Sequence, residues 1–160
     1  MNQVTQRIQP APVRKSLVVR APQARAFEVF TAGIGRWWPK SHHIGASDPE
    51  TVVIEPKVGG RWYERGVDGA ECEVGKVLAW DPPGRVVLAW QVSADWKFDP
   101  DLVTEVEVRF IPDGQGATRV ELEHRHLERF GERAENVRAQ IDAPNGWGGL
   151  LQLFADAAAQ

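Results

Sequence analysis

A chain of 160 residues, 42% hydrophobic and 26% charged, is long enough for one domain with a sizeable core and has the balance of an ordinary soluble globule. A formal net charge of −3 and a pI near 5.8 leave no basic footprint for nucleic acid, and the single cysteine, Cys72, excludes an internal disulfide framework. Met1 to Val13 lacks the apolar run of a signal peptide, and no later segment is uninterruptedly apolar over the length of a membrane span, so the expected setting is cytoplasmic, without membrane contact.

Residues 1–13, with Pro10 and Pro12 and no periodicity, read as a disordered leader, and a single domain is expected over 14–160. Arg14 to Arg20 alternates weakly around Leu17, Val18 and Val19, which predicts a first strand stopped by Pro22. Pro22 also opens a helix, because its missing N–H would have no partner in a first turn. Ala26, Phe27, Val29, Phe30 and Ile34 give that helix an inward stripe. Gly33 and Gly35 break it and leave Arg36-Trp37-Trp38-Pro39 as a short second turn with two adjacent indoles.

After a loop carrying His42 and His43, the period changes from helical to two. Thr51 to Glu55 is a short β-branched strand, and Val58-Gly59-Gly60 turns the chain into Arg61 to Arg65, sending Trp62 and Tyr63 to opposite faces. Gly66 to Gly69 is a hairpin turn into Glu71 to Trp80; Asp81-Pro82-Pro83-Gly84 turns again into Arg85 to Val92. Thr104, Val106, Val108 and Phe110 alternate with Glu105, Glu107 and Arg109, the pattern of a strand wet on one face. Beyond the turn at Asp113 to Gly116, Val120, Leu122, His124 and His126 are expected on one face. Leu127 to Ile141 reads as a polar, broken helical connection with a stop at Gly131.

The closing stretch organises the rest. Trp147, Leu150, Leu151, Phe154 and Ala158 fall at i, i+3, i+4, i+7 and i+11, one wholly apolar helical face. A helix this short is marginal alone in water and needs a surface to lie on. Gly148 and Gly149 sit inside it at about 1 kcal/mol each relative to alanine, so something is expected to approach the backbone there, either a strand or a ligand. The order implies an α+β architecture: a curved antiparallel sheet of six or so strands wrapped around a long C-terminal helix, with two short helices after the first strand.

Four stretches carry a family resemblance. They are Ala21-Pro22 through Phe27, Phe30 and Thr31 to Trp37-Trp38-Pro39; Ile54-Glu55-Pro56 to Val58-Gly59-Gly60-Arg61-Trp62; Gly75-Lys76-Val77-Leu78-Ala79-Trp80-Asp81-Pro82-Pro83 on to Leu88-Ala89-Trp90; and Gly146-Trp147 before Leu150-Leu151. In order and spacing, over about residues 14–158, the chain resembles the heat-shock-protein-90 ATPase activator-like branch of the START-like, SRPBCC (birch-pollen-allergen-like) superfamily. The resemblance implies a helix-grip fold with a hydrophobic cavity between sheet and closing helix, and a role in binding apolar small molecules. Eukaryotic chaperone activators resemble the chain only in their C-terminal part, so chaperone stimulation is not assumed.

The expected ligand-binding residues are Phe30, Trp38, Trp62, Trp90, Val108, Phe110, Leu122, His124, Trp147, Leu150, Leu151 and Phe154. Seven tryptophans beside one tyrosine suit either a cavity lining or a thick core, and both readings stand for Trp38, Trp62, Trp90 and Trp147. His124, on the inner face with Val120 and Leu122, is the polar group able to orient a ligand or move a proton, or else a hydrogen-bonded structural histidine. The spacing of His42, His43, His124 and His126 is too generic for a metal site, and neither metal nor cofactor is expected. Glu71 and Glu73 read as solvated edge charges, Arg61, Arg109 and Arg119 as outward salt-bridging residues, and Cys72 as packing. No nucleophile elbow, phosphate-cradling loop or paired-cysteine motif is present. The expected function is therefore non-catalytic binding of a small hydrophobic or aromatic molecule, with a polyketide cyclase or dehydratase-like enzyme, or a chaperone- or self-associating module, as alternatives.

Overall fold

The computed structural model describes residues 10–160. Seven strands form one antiparallel sheet: β1 (Val13–Val19), β2 (Pro49–Ile54), β3 (Arg61–Gly66), β4 (Glu71–Asp81), β5 (Arg85–Trp90), β6 (Thr104–Pro112) and β7 (Thr118–Arg125), in the order β1-β7-β6-β5-β4-β3-β2. Helices α1 (Gln23–Phe30) and α2 (Ile34–Trp37) follow β1. A 3-10 segment (Leu127–Arg133), helix α3 (Ala134–Asp142), a π-helical turn (Pro144–Gly148) and helix α4 (Gly149–Ala158) follow β7. None of the described helices is long and apolar enough to cross a membrane.

The sheet curls into a half-barrel around α4. Two register shifts set the curl, one opposite Trp62 and Tyr63 where β3 meets β4, the other between Val77 and Ala79 where β4 meets β5. Gly75 lies at the first: a Cβ there would overlap the Ala89 carbonyl of β5, so only glycine lets the strands close this tightly. On the convex side the alternating charges become a lattice. Glu107, though only 9% exposed, accepts a hydrogen bond from Arg85 at 2.6 Å and is also held by Arg125, while Arg61 pairs with Glu71 and Glu73.

Trp147, Leu150, Leu151, Phe154 and Ala158 are all buried, as their spacing predicts. Phe154 is the hub. Its ring lies 5.2 Å from Phe30, 5.6 Å from Trp37 and 6.5 Å from Phe110, with Phe27 against Phe110 at 5.3 Å. Helices α1 and α2 thus plug one end of the half-barrel with interlocked rings. Arg25 of α1 fastens the far end of α4 by donating to the Ala158 and Gln160 carbonyls at 2.9 and 2.6 Å.

The sheet's seven strands agree with the expected six or so and include both strands expected ahead of β4, at Pro49–Ile54 and Arg61–Gly66. Three expectations change in detail. Strand β1 begins at Val13, which is fully buried; residues 1–9 of the expected leader lie outside the described residues, while Ala11 and Pro12 accept hydrogen bonds from Arg138. His126 leaves the inner face, since a left-handed backbone (φ 65°) ends β7 there and turns the ring outward near Glu105 and Glu128. Nothing lies within 4 Å of a Cβ built on Gly148. The close approach is at Gly149, and it comes from the Pro144 carbonyl of the chain's own π-helical turn rather than from a strand or a ligand.

Removing the Phe154 ring leaves a void that three flanking rings cannot fill. Phe154→Ala should cost about 3–5 kcal/mol in urea unfolding. Gly148→Ala, in helical backbone with open space at its Cβ, should instead raise stability by about 0.5–1 kcal/mol.

Candidate functional site

The opposite end of the half-barrel is hollow. A cavity of about 730 Å³ lies between β2–β5, the loop after α2, α3 and the π-helical turn. Its apolar floor is a closed ring of four indoles in edge-to-face contact: Trp38–Trp62 6.1 Å, Trp62–Trp90 5.7 Å, Trp90–Trp147 5.7 Å and Trp147–Trp38 6.1 Å between centroids. Each indole comes from a different element: Trp38 from the end of α2, Trp62 from β3, Trp90 from β5 and Trp147 from the π-helical turn. Val52, Val74 and Leu150 complete the apolar lining.

Behind the ring, His124 of β7 is completely buried and fastens two of its members. The indole N–H of Trp147 donates to His124 Nδ1 at 3.1 Å. Because an indole nitrogen can only donate, Nδ1 is the bare nitrogen and the proton sits on Nε2, which donates to Thr104 Oγ1 at 2.7 Å. Thr104 in turn donates to the Trp90 carbonyl at 3.3 Å. Burial pushes the imidazole pKa down to about 3, so the ring is neutral through the physiological range. With both nitrogens engaged, His124 serves as a strut rather than as a proton carrier.

The rim is polar and strapped down. Glu64 of β3 faces inward two residues beyond Trp62 and is buried, its two oxygens accepting the backbone N–H groups of Ile44 at 2.7 Å and Gly45 at 2.9 Å. Trp38 Nε1 donates to the His42 carbonyl at 2.9 Å. The His42 ring bridges the mouth, Nε2–H donating to the Asn145 carbonyl at 2.7 Å while Nδ1 accepts from the Ser41 hydroxyl at 3.1 Å. His43 donates from Nδ1 to the Gly45 carbonyl at 2.9 Å. Trp96, 42% exposed and in left-handed backbone (φ 61°), stands at the same mouth beside Asn136 and Gln140 of α3.

Of the residues expected to bind ligand, Trp38, Trp62, Trp90, Trp147 and Leu150 are brought together on the cavity. Phe30, Val108, Phe110, Leu122, Leu151 and Phe154 lie in the solid core, away from its lining, and His124 lies behind the wall. Sequence reasoning missed Val52, Val74, Glu64 and Trp96. Glu64 was detectable as a carboxylate in register with Trp62 on a dry face. Among the described residues no three His, Cys, Asp or Glu side chains gather as metal ligands would.

A family model described as Activator of Hsp90 ATPase homolog 1-like protein matches residues 20–159. No curated protein matches. Among solved structures, one described as the anthrahydroquino-γ-pyrone synthase Txn09 complexed with SUM is 42% identical, with 92% of this chain and 96% of that chain covered and a TM-score of 0.65. The self-sacrificing resistance protein CalC from Micromonospora echinospora is 34% identical, with 92% and 94% covered and a TM-score of 0.70. PFC0360w, an HSP90 activator from Plasmodium falciparum, shares the fold at 20% identity, with 72% of each chain covered and a TM-score of 0.51.

The buried imidazole has a pH signature. Its folded pKa of about 3 lies below the ordinary histidine value near 6.5, so the unfolded chain takes the proton first and stability falls as pH drops below 6.5. The Glu107 carboxylate is pushed up by burial but held down to about 2 by hydrogen bonds from Arg85 and Arg125, so its contribution is lost only below its ordinary range. Between pH 6.5 and 4.5 the slope attributable to His124 should approach about 1.4 kcal/mol per pH unit. Urea unfolding across that interval should show the slope in the native protein and lose it in His124→Gln.

Proposed function

We propose, for a chain that belongs to the family of Activator of Hsp90 ATPase homolog 1-like proteins, that the tryptophan-floored cavity binds a planar, oxygenated polycyclic aromatic molecule. The observation that carries this reading is the closed ring of four indoles facing a cavity of about 730 Å³, inside the roughly 300–1,000 Å³ range of small-molecule sites. Indole faces and edges favour flat rings, which stack or meet them edge-on, over flexible acyl chains. The polar groups gather at the rim, at Ser41, His42, His43, Asn136, Gln140 and Asn145. A ligand therefore suits the site if its ring body is apolar and its hydroxyl or carbonyl groups lie along the edge that reaches the mouth.

The relatives lend the same direction. The 42% identical synthase is named for an anthrahydroquino-γ-pyrone, a fused aromatic system bearing several oxygens. The family description keeps stimulation of the Hsp90 ATPase as the second reading, supported at the level of fold by the Plasmodium activator. Measuring the Hsp90 ATPase rate with and without this protein decides it.

The test of the first reading is a titration with 1,8-dihydroxyanthraquinone and, separately, palmitate, followed by indole fluorescence and by melting temperature. The anthraquinone should give saturable quenching and a concentration-dependent rise in melting temperature; palmitate should give neither. Trp38→Ala, which removes one stacking surface at the mouth, should weaken anthraquinone binding about ten-fold. A flat response to the anthraquinone, or tighter binding of palmitate, refutes the reading.

A further inference from the structure

Trp96 breaks a local rule at the mouth of the cavity. Residues 91–99 form a small hairpin in which Val92 bridges Phe98, the Trp96 N–H donates to the Ser93 carbonyl at 2.9 Å, and the Ser93 N–H donates to the Lys97 carbonyl at 2.8 Å. A loop closed by this pair of bonds is a type I turn followed by one residue in left-handed backbone. Glycine and asparagine suit that position because they meet little steric resistance there. Trp96 occupies it instead, at φ 61°, where a bulky side chain is a conformational outlier.

Packing does not offset the strain. Trp96 is 42% exposed, takes no part in the edge-to-face contacts of the four floor indoles, and is not among the side chains packed on the core, although Ala94, two residues earlier, is. What the conformation achieves is position. Ser93 Oγ accepts the N–H groups of Asp95 at 3.3 Å and Lys97 at 3.4 Å. Arg133, one residue ahead of α3, donates to the Asp95 carboxylate at 3.1 Å and to the Ala94 carbonyl at 3.3 Å. The turn is thereby tied to the α3 side of the mouth, and the indole it carries lines the cavity. Strain that the surrounding contacts hold in place, at a residue lining a site, points to a role in that site.

We propose that Trp96 is a specificity-determining clamp whose indole covers the outer part of an aromatic ligand while the four floor indoles meet its inner part, an inference that rests on the aromatic-ligand reading above. Glycine or asparagine would fit the turn better and would leave the mouth side of the ligand bare. A flat ring body large enough to reach from floor to mouth meets indoles at both ends, whereas a smaller one meets the floor alone. The hairpin thus trades some of its own stability for ligand contact.

The test is a calorimetric titration with 1,8-dihydroxyanthraquinone, a readout independent of indole emission, on the native protein and on Trp96→Gly, Trp96→Asn and Trp96→Phe, with the melting temperature of each free protein measured in parallel. Trp96→Gly and Trp96→Asn should melt about 2–4 °C above the native protein, because the strain leaves with the side chain, and should bind the anthraquinone about ten-fold more weakly. Trp96→Phe keeps both a ring and the strain, so it should melt at the native temperature and recover most of the lost affinity. A tryptophan that served only structure would lose stability and affinity together. Glycine and asparagine variants that bind within two-fold of native overturn the assignment, as does a fall in their melting temperature or a Trp96→Phe affinity no better than theirs. If the native protein binds no anthraquinone, the aromatic-ligand reading fails first and this inference falls with it.

Discussion

A neutral imidazole joins the last turn of the chain to the sheet, and the site depends on that joint. His124 receives the Trp147 N–H and passes a hydrogen bond through Thr104 to the Trp90 backbone carbonyl, so one side chain orients the Trp147 indole and ties it to β5, its own ring packed 5.2 Å from the Trp90 indole. Each bond in this buried chain is worth only about 0.5–1.5 kcal/mol net, but an unsatisfied buried donor or acceptor costs about 1–3 kcal/mol. Breaking the chain at His124 orphans Trp147 on one side and Thr104 on the other. The arrangement is therefore cooperative, and it holds only while the ring carries a single proton.

From that joint the interior divides into two aromatic territories with different jobs. Phe27 and Phe30 of α1 interlock with Phe110 and Phe154 as buried rings in mutual edge-to-face contact. The four tryptophans meet edge to face at the other end and stop short of filling it. Phenylalanine has no polar atom to satisfy and suits a dry plug. Tryptophan brings an N–H that must be placed, and two of the four ring indoles show how, Trp38 reaching the His42 carbonyl and Trp147 reaching His124, whereas Trp62 Nε1 is buried without a partner among the described residues.

The elements were legible because their signals are local. The period of two along Thr104 to Phe110 and the helical spacing of Trp147, Leu150, Leu151, Phe154 and Ala158 state which face is dry without reference to anything distant, and each of those residues is buried. Which dry residues face space and which face one another is a tertiary matter. Val108 and Phe110 share a strand face that reads like that of Trp90, yet Phe110 packs against Phe27 and Phe30 of α1 and neither residue lines the cavity, whereas Trp90 does. The polar rim was harder still. The His43 ring is set by the loop folding its own Gly45 carbonyl back onto Nδ1, a contact that no periodicity announces. Glu64 was visible as a charge on a dry face, but its partners, Ile44 and Gly45, are some twenty positions earlier in the chain.

Glu64 holds its loop through backbone amides, and the bridge from His42 ends on the Asn145 backbone carbonyl. Main-chain groups are the same whatever side chain is attached, so the exposed residue 145 is at liberty to vary without loosening the collar, whereas Ile44 packs on the core and a Cβ at Gly45 would crowd Glu64 and Cys72. A lineage under pressure to handle a different guest could thus rewrite the doorway one amino acid at a time while the frame stayed shut, which is a structural route to diversification within one scaffold.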